Sequence, residues 1–382
     1  MRWIWQQPGW PDFHYEKSGF EERELEFRMN SERLAGRVEA LPRAYQDDAT
    51  IDLLLSEAIT TSAIEGENLD RDSVRSSLLS MITSDVLPNN SDQKAAGAAM
   101  LLVDVRGKWQ ASLTQELLGQ WQSMAIPEQR YTSVLRGAYR NDPSPMQIVS
   151  GPYGREKVHY EAPPADQVPD EMARFIYWYN HTSGALNKCN KMPGIARAGI
   201  AHLWFEVIHP FDDGNGRVGR AIADHALSQS LGYPTTACLA TAIEGDKKTY
   251  YLQLEKASHG SLDVNIWLEY FADTVIKAQR IAKEEVDFVL AKTRFFELFG
   301  DQLNDRQSRM VSRVFAEGRK GFEGGITTRK YENITKCPNR TASRDLADLL
   351  TRGIIVPLPG GGRTTRYKLA VVKPAEFVIG QK

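Results

Sequence analysis

The sequence HPFDDGNGRVGR, which runs from His209 to Arg220, places a base, acidic residues, a glycine-rich turn and two cations within twelve residues. Two long stretches rich in Ala, Leu, Ile and Trp flank it and predict helices, Ala196–Val207 before it and Arg220–Leu231 after it. Gly232 then stops the second of these stretches. The pattern predicts two buried helices joined by a turn that carries chemistry, inside a mainly α-helical protein.

The turn has the features of a polyphosphate site. Gly214 and Gly216 can adopt positive φ and admit a ligand close to the backbone. Their N–H groups stand at the start of a helix, where unpaired donors and the positive end of the helix dipole attract anions. Asn215 can add a side-chain donor. Arg217 and Arg220 lie three residues apart, so they share a helix face and can reach the same polyphosphate.

Two further side chains add chemistry to this anion site. Asp213 offers a hard oxygen ligand for Mg²⁺, which bridges phosphate groups. His209 is the side chain best suited to accept a proton from a hydroxyl group near neutral pH. The turn therefore predicts a site for a magnesium-bound polyphosphate next to a general base.

Two other interpretations of the turn compete with this one. Gly214, Gly216 and Gly219 match the dinucleotide fingerprint GxGxxG, but that fingerprint follows a strand and precedes an acidic residue about 20 positions on. Here the preceding stretch is helical and Leu239 stands at that distance. The turn could also be a plain helix connection with solvated charges. One histidine, one aspartate and two arginines in a single glycine-rich turn argue against that interpretation.

The turn resembles the signature of the Fic family, HPFx[DE]GNGRxxR, without any departure. The matching residues are His209, Pro210, Phe211, Asp213, Gly214, Asn215, Gly216, Arg217 and Arg220. The resemblance implies an all-helical core that uses Mg²⁺ and transfers AMP from ATP to Ser, Thr or Tyr of a target protein. It also implies that His209 is the base, that Asp213 holds Mg²⁺ and that Gly214 to Gly216 cradle the α-phosphate. Arg217 and Arg220 would hold the β- and γ-phosphates.

The resemblance also bears on the reaction type and on target binding. The kinase-like Doc branch has Ala-Asn-Lys where this chain has Gly214-Asn215-Gly216, which favours AMP transfer. The segment Ile148–Tyr160 predicts a β-hairpin around a loop at Gly151–Gly154, at the place where Fic proteins carry a flap. Its edge can pair with an extended target segment. A purely structural hairpin stays open as the alternative.

A second motif precedes the core. The sequence TSAIEG, from Thr61 to Gly66, matches the family's inhibitory pattern [ST]xxxE[GN]. Thr61 and Glu65 lie four residues apart on one face of a predicted helix, about 52–66. Glu65 can reach Arg220 and take the guanidinium that a γ-phosphate would occupy. The order of motifs resembles the class of Fic enzymes with an N-terminal inhibitory helix.

Two other functions remain open at this point. The chain could be a DNA-binding regulator whose Fic core mainly senses nucleotide. Alternatively, Glu65 could orient a water that removes AMP from a modified target, since this reverse reaction uses the same residues.

The last 80 residues predict three helices followed by a strand pair. The predicted elements are Asp305–Ala316, Thr327–Glu332, Thr341–Leu350, Ile354–Pro357 and Thr365–Leu369, with Gly360-Gly361-Gly362 between the strands. This order is that of a winged helix-turn-helix domain.

The charge of this segment differs from that of the rest of the chain. Residues Asp301–Lys382 hold 16 Lys+Arg against 8 Asp+Glu, a net charge of +8, whereas the remainder holds 31 against 41. Arginines on or beside the predicted recognition helix and wing can contact DNA, namely Arg340, Arg344, Arg352, Arg363 and Arg366. A docking or dimerisation module is the alternative. Reading a palindromic site would require a homodimer.

Length and composition set the frame for these assignments. A chain of 382 residues with 42% apolar content supports two or three domains. We predict an N-terminal helical domain over 1–90, a Fic core over 91–295 and the winged helix over 301–382. No run reaches the roughly 18 apolar residues of a membrane span. Cys189, Cys238 and Cys337 are too scattered for a disulfide framework, so we expect a cytoplasmic protein.

Three residues outside the turn have simpler interpretations. His202 lies seven residues before His209, but no third ligand stands at metal spacing, which favours a packed core histidine. Tyr250 and Tyr251 fall in the region where the family lines its adenine pocket, and core aromatics fit equally well.

Overall fold

The computed structural model describes residues 3–83, 92–127, 134–150, 155, 157–184, 192–319, 321–359 and 365–370. The chain is mainly helical, as predicted, and divides into two compact units. The first comprises Met1–Ala40 and Gln46–Lys283, and the second comprises Leu41–Tyr45 and Glu284–Lys382. Among the described helices, none is long and apolar enough to cross a membrane.

In the described part of the chain, ten α-helices and two strands lie wholly or mostly in the first unit, and an eleventh α-helix extends past its last residue, Lys283. They are α1 (Glu21–Glu39), α2 (Arg43–Ile64), α3 (Arg71–Thr83), α4 (Gln93–Gly107), α5 (Gln115–Ala125), β1 (Gln147–Ser150), β2 (Lys157–Glu161), α6 (Val168–His181), α7 (Gly194–Ile208), α8 (Asn215–Leu231), α9 (Leu239–Glu244), α10 (Lys247–His259) and α11 (Asn265–Phe299).

Helices α7 and α8 form the centre of the first unit. All residues of α7 are buried, as are those of α8 from Arg217 to Gln229. Helices that are buried on every side belong to such a core, and their few polar side chains need partners inside it. Gly199 allows α11 to approach, because a Cβ at that position would lie 2.7 Å from a methyl carbon of Leu268. The turn between α7 and α8 is therefore held on both sides by the best-packed helices of the unit.

The N-terminal residues pack on the same core. Trp3, Trp5 and Trp10 lie against the hydrophobic cluster that includes α7, and the Trp5 indole donates to the Glu161 carbonyl at 2.8 Å. The structure thus joins residues 3–40 and the predicted catalytic core in one compact unit. The boundaries at residues 90 and 295–301 stay predictions.

Helix α2 carries the predicted inhibitory motif. It begins at Arg43 and ends at Ile64, so Glu65 lies in the turn that follows the helix. Gly66 has a φ of 80°, a left-handed conformation that ends helices. Ile51, Leu54 and Leu55 of α2 share a core cluster with residues of α3 and α4. This packing fixes the end of α2 and the turn that carries Glu65.

Strands β1 and β2 form the predicted hairpin. They pair antiparallel, with Gln147 opposite Glu161, and the register shifts between Ile148 and Val149. The predicted loop Gly151–Gly154 lies outside the described residues.

The second unit has its own core. Its elements are α12 (Asp305–Ala316), α13 (Thr328–Thr335), α14 (Asn339–Thr351), β3 (Ile355–Pro357) and β4 (Tyr367–Leu369), and the two strands pair antiparallel. Phe295, Met310, Tyr331 and Leu346 are buried together in this core. The order of elements agrees with the predicted one. Gly360-Gly361-Gly362 and Arg363 lie outside the described residues.

Candidate active site

The turn between α7 and α8 depends on two left-handed residues. His209 has φ 50° and ψ 59°, and its N–H donates to the Phe205 carbonyl at 2.9 Å, which ends α7. Gly214 has φ 89° and directly precedes α8. A positive φ is unusual for a residue other than glycine, and such residues cluster at functional sites. The backbone turns twice within six residues and leaves the start of α8 open at its N–H groups.

Asn215 closes the turn. Its side-chain oxygen accepts the Phe211 N–H at 3.0 Å, and its amide nitrogen donates to the Phe211 carbonyl at 2.7 Å. The Phe211 ring is buried and contacts Phe205 and Tyr139. Asn215 therefore fixes the shape of the loop in this structure, and its role as a direct donor to a ligand stays a prediction.

Two residues that the sequence analysis missed hold the turn from outside. Gln122 on α5 donates to the Asp213 carbonyl at 3.1 Å. The Arg140 guanidinium is buried and donates to the carbonyls of His209 at 2.8 Å and Ile208 at 3.3 Å. Both lie far from the turn in the sequence, and no local pattern marks them.

The His209 side chain is enclosed but reachable, with 17% of its surface exposed. Burial lowers the pKa of His209 to about 4, an effect that Arg140 reinforces and the Glu206 carbonyl opposes. The imidazole is therefore neutral near pH 7 and has a lone pair to accept a proton. Its Nδ1 lies 3.4 Å from the Glu206 carbonyl oxygen, which leaves Nε2 as the nitrogen for substrate chemistry.

The guanidinium of Arg220 is buried and bonds to two residues of the predicted inhibitory motif, Thr61 and Glu65. Its Nη2 contacts Glu65 Oε1 at 2.8 Å and the Thr61 carbonyl at 3.0 Å, and its Nε donates to the Thr61 hydroxyl at 2.8 Å. The structure thus brings together the three residues that the sequence connected only through a resemblance. Burial lowers the pKa of Arg220, but Glu65 outweighs it and raises the pKa.

Arg217 has a carboxylate of its own, which the sequence analysis did not find. Its Nη1 donates to Glu67 Oε2 at 2.6 Å, and Glu67 also accepts from Lys94 at 2.8 Å. Arg217 is 6% exposed, and its Nε has no hydrogen-bond partner in the described part of the chain. The sequence offers one indication of this contact, because Glu67 lies only two residues after Glu65.

Glu65 also lies directly against the glycine-rich turn. A Cβ at Gly216 would stand 2.3 Å from Glu65 Oε1, so glycine is required while the carboxylate occupies this place. Gly216 lies in the first turn of α8, where N–H groups attract anions. The Glu65 carboxylate therefore occupies the kind of position that a phosphate would take.

Asp213 is exposed, and its Oδ1 accepts the Gly214 N–H at 2.6 Å. In the part of the chain that the structure describes, no three His, Cys, Asp or Glu residues cluster as a metal site. Mg²⁺ in nucleotide sites needs only one or two carboxylates, with substrate phosphates and waters supplying the other oxygens. A single exposed carboxylate beside an anion-binding turn fits that requirement.

A groove lies between β1 and α10. It measures about 590 Å³ and includes Ile148, Val149, Tyr251 and Glu206 in its lining. Ile148 is 42% exposed and Val149 is 47% exposed, so the hairpin presents apolar side chains to solvent beside the groove. A target segment and a structural hairpin both remain consistent with this surface.

His202 is a buried core residue, as expected. Its Nε2 lies 2.8 Å from the Tyr250 hydroxyl, and burial lowers the pKa of His202 to about 4. Tyr250 is buried, whereas Tyr251 is 42% exposed and lines the groove.

Comparison with known proteins agrees with this geometry. Residues 112–227 match the Fic/DOC family, and residues 3–82 match a domain of unknown function, DUF4172. Two solved structures share the fold, each with a TM-score of 0.50. A Fic family protein from Desulfovibrio desulfuricans is 19% identical, with 94% of this chain and 97% of that chain covered. A Fic domain containing signaling protein from Bacteroides thetaiotaomicron is 16% identical, with 67% and 96% covered.

Curated relatives match over shorter stretches. The chain is 27% identical to a uridine 5'-monophosphate transferase of Xanthomonas campestris pv. campestris over 153 residues, which are 38% of this chain and 27% of that protein. It is 32% identical to protein adenylyltransferase fic-1 of Caenorhabditis briggsae, over 25% of this chain and 17% of the relative. A probable protein adenylyltransferase of Aquifex aeolicus is 30% identical, over 28% of each. The chain therefore spans less than a third of the length of these relatives.

Proposed function

We propose that this chain, through its Fic/DOC family domain, is a nucleotidyltransferase that moves AMP from ATP to a Ser, Thr or Tyr hydroxyl of a target protein. The observation that carries the proposal is the turn from His209 to Arg220. It combines a neutral buried imidazole, open N–H groups at the start of α8 and two buried arginines. This set matches the needs of a phosphoryl-type transfer, in which positioning and charge stabilisation dominate.

The residues of the turn would divide the work of binding. The N–H groups around Gly214 and Gly216 would hold the α-phosphate, and Arg217 and Arg220 would hold the β- and γ-phosphates. Asp213 would hold Mg²⁺, which neutralises phosphate charge when bound. Gln122 and Arg140 do not reach the ligand in this scheme, since they support the backbone carbonyls of the turn.

His209 would supply the base. The target hydroxyl oxygen forms a new bond to the α-phosphorus, and the bond from that phosphorus to the bridging β-phosphate oxygen breaks. The hydroxyl proton passes to Nε2 of His209, and the pyrophosphate takes the bonding electrons as it leaves. The products are an AMP ester of the target and pyrophosphate. A base of this kind contributes about 10²–10⁴-fold to the rate.

The same site would be self-inhibited in the structure that we describe. Glu65 and Glu67 each hold one of the two arginines assigned to phosphates. A γ-phosphate next to Glu65 would meet a like charge, so ATP would bind in a pose without a productive path to the α-phosphorus.

The test is the mass of the intact chain and of co-incubated proteins after exposure to ATP and Mg²⁺. We expect added AMP with Glu65→Gly, none with Glu65→Gly/His209→Ala, and nucleotide binding in both. UTP serves as a parallel arm, because one relative is named as a uridine 5'-monophosphate transferase. Loss of AMP from a pre-modified target with the wild-type chain, but not with Glu65→Gly, would support the reverse reaction. If Glu65→Gly transfers neither AMP nor UMP and the wild-type chain removes no AMP, the proposed transferase function is wrong.

A second candidate function is DNA binding coupled to nucleotide sensing. It is favoured by the net charge of +8 over Asp301–Lys382 and by the order of elements in the second unit, which we propose is a winged helix. Homodimerisation on a palindromic site belongs to this candidate.

A further inference from the structure

Glu206 is a buried acidic residue that none of the roles above uses. It lies on α7, three residues before His209, and its side chain is 7% exposed. Its Oε1 is buried and has no hydrogen-bond partner in the described part of the chain. Burying a carboxyl oxygen without a hydrogen-bond partner destabilises the folded chain, so a functional reason for its position is expected.

The carboxyl group faces the base. Glu206 Oε2 lies 3.9 Å from Nδ1 of His209, and the Glu206 carbonyl oxygen lies 3.4 Å from the same nitrogen. The residue thus presents two oxygens to the nitrogen that does not meet the substrate. An acceptor at this place keeps the proton on Nδ1 and leaves Nε2 free to accept another.

Space for the carboxyl group comes from α8. A Cβ at Gly219 would lie 2.4 Å from Glu206 Oε1 and 3.2 Å from Nδ1 of His202. Nδ1 of His202 also lacks a hydrogen-bond partner in the described part of the chain. Any larger residue at position 219 would displace the carboxyl group, so Gly219 keeps the room that Glu206 needs.

We propose that Glu206 is a positioning residue for His209, holding the imidazole through Nδ1 and stabilising the positive charge that forms when Nε2 takes the target's proton. The inference rests on the proposed function and deepens it. A carboxylate behind a histidine base has this effect because it orients the ring and lowers the energy of the imidazolium.

The charge environment makes the effect depend on pH. Burial and the nearby Glu65 carboxylate raise the pKa of Glu206 to about 8, although Arg220 opposes them. Other titratable groups that face it are Tyr160 on β2, Tyr250 and Tyr251 on α10, His202 and His209. Near pH 7 the Glu206 carboxyl group is mostly protonated. Above its pKa it is ionised, and the carboxylate stabilises a positively charged His209 ring more strongly than the neutral acid does. Transfer should therefore accelerate as pH rises through this pKa.

The first readout does not require transfer. In the nucleotide-free chain, ¹⁵N shifts of the His209 ring should report a titration near pH 8 that disappears in Glu206→Gln. This outcome would show that the ring responds to the carboxyl group. A His209 signal that stays constant across this range, or that titrates equally in Glu206→Gln, would overturn the proposal.

The second readout is kinetic, in the Glu65→Gly background. Glu206→Gln should lower kcat by about 10–100-fold at alkaline pH, remove the alkaline rise and leave the KM for ATP unchanged. Glu206→Asp should recover part of the rate if it also keeps a titrating carboxyl group near His209. An equal loss at every pH with a raised KM would point to a structural role and sink the idea. If the parent transfers nothing, the proposed function fails, and the ring titration still decides the role of Glu206.

Discussion

Glu65 and Arg220 form a short ion pair. The pair measures 2.8 Å, and the guanidinium is 4% exposed, so solvent screens it little. Removing the carboxylate of such a pair frees the guanidinium for another anion. Under the proposed function, the Glu65 carboxylate and a γ-phosphate would compete for the Arg220 guanidinium.

We expect Glu65→Gly to raise AMP transfer, self-modification included, while the wild-type chain stays nearly silent. A charge-assisted pair contributes about 1.5–3 kcal/mol, and misplacing reacting atoms by an ångström costs on the order of 10²-fold. Activation of one to two decades or more should follow, measured with labelled ATP. The gain should vanish in Glu65→Gly/Arg220→Ala. A folded Glu65→Gly chain that works no faster than wild type would remove the inhibitory role.

Glu67 offers a separate test of the same principle. It contacts Arg217 at 2.6 Å, and its side chain is 23% exposed. Burial raises the pKa of Glu67, but Lys94 and Arg217 outweigh it and lower the pKa. Glu67→Gln should free Arg217 and tighten ATP binding by about 3- to 10-fold, the effect expected for an ordinary hydrogen bond rather than for a fully buried charged one.

The measurement for Glu67 is nucleotide affinity by calorimetry. Lys94→Gln is the matched control, because it removes the other partner of Glu67 without touching Arg217. No gain in affinity is expected there. Equal affinity in Glu67→Gln and wild type would show that Arg217 does not meet the phosphates.

At the scale of elements, the buried carboxyl group of Glu57 connects α2 to α9. Glu57 accepts the Ala240 N–H at 2.5 Å and the Thr241 N–H at 3.2 Å, at the start of α9. Carboxylates at helix starts satisfy free N–H groups. Glu57 therefore connects the helix that precedes Glu65 to a second helix, and it fixes the position from which Glu65 reaches Arg220.

The burial of the Glu57 carboxyl group, which its hydrogen bonds to α9 offset only in part, should make stability depend on pH. Burial raises the pKa of Glu57 to about 7, above its value in the unfolded chain. The stabilisation is therefore complete below the unfolded pKa and is lost as pH rises through about 7. We expect the free energy of unfolding of the wild-type chain to decrease by up to about 3 kcal/mol as pH rises from the unfolded pKa of Glu57 to its folded pKa. The melting temperature should fall over the same pH range. Glu57→Gln should flatten that slope, whereas an unchanged slope would contradict the pKa.

Sequence patterns predicted the elements better than the contacts between them. The apolar composition of Ala196–Val207 identified α7, and the glycines identified the turn, because both signals are local. The end of α2 at Ile64 depends on Gly66 at positive φ, one residue past Glu65. Gln122, Arg140 and Glu206 act on the turn through tertiary contacts, which leave no spacing pattern to find.

At the scale of the whole molecule, charge separates the two ends of the chain. The segment Asp301–Lys382 carries +8, whereas the remainder carries −10. Within the second unit, Arg340 and Arg344 are exposed and lie one turn apart on α14. Arg352, by contrast, bonds to Asp348 and Gln307, so the structure uses it for internal contacts. Two exposed arginines on one helix are suited to phosphate contacts.

We therefore expect the full chain to bind duplex DNA with an affinity that falls steeply as salt rises. Each phosphate contact releases counterions and adds about −0.9 to the slope of log K against log salt. Arg340→Gln/Arg344→Gln should weaken binding and reduce that slope by about 2. The matched control is Arg309→Gln/Arg313→Gln, which removes the same charge from α12. An equal loss in both variants would indicate a diffuse electrostatic attraction. If no duplex shifts the full chain at low salt, α14 does not bind DNA, and a protein-docking or dimerisation role for the second unit would explain its exposed arginines.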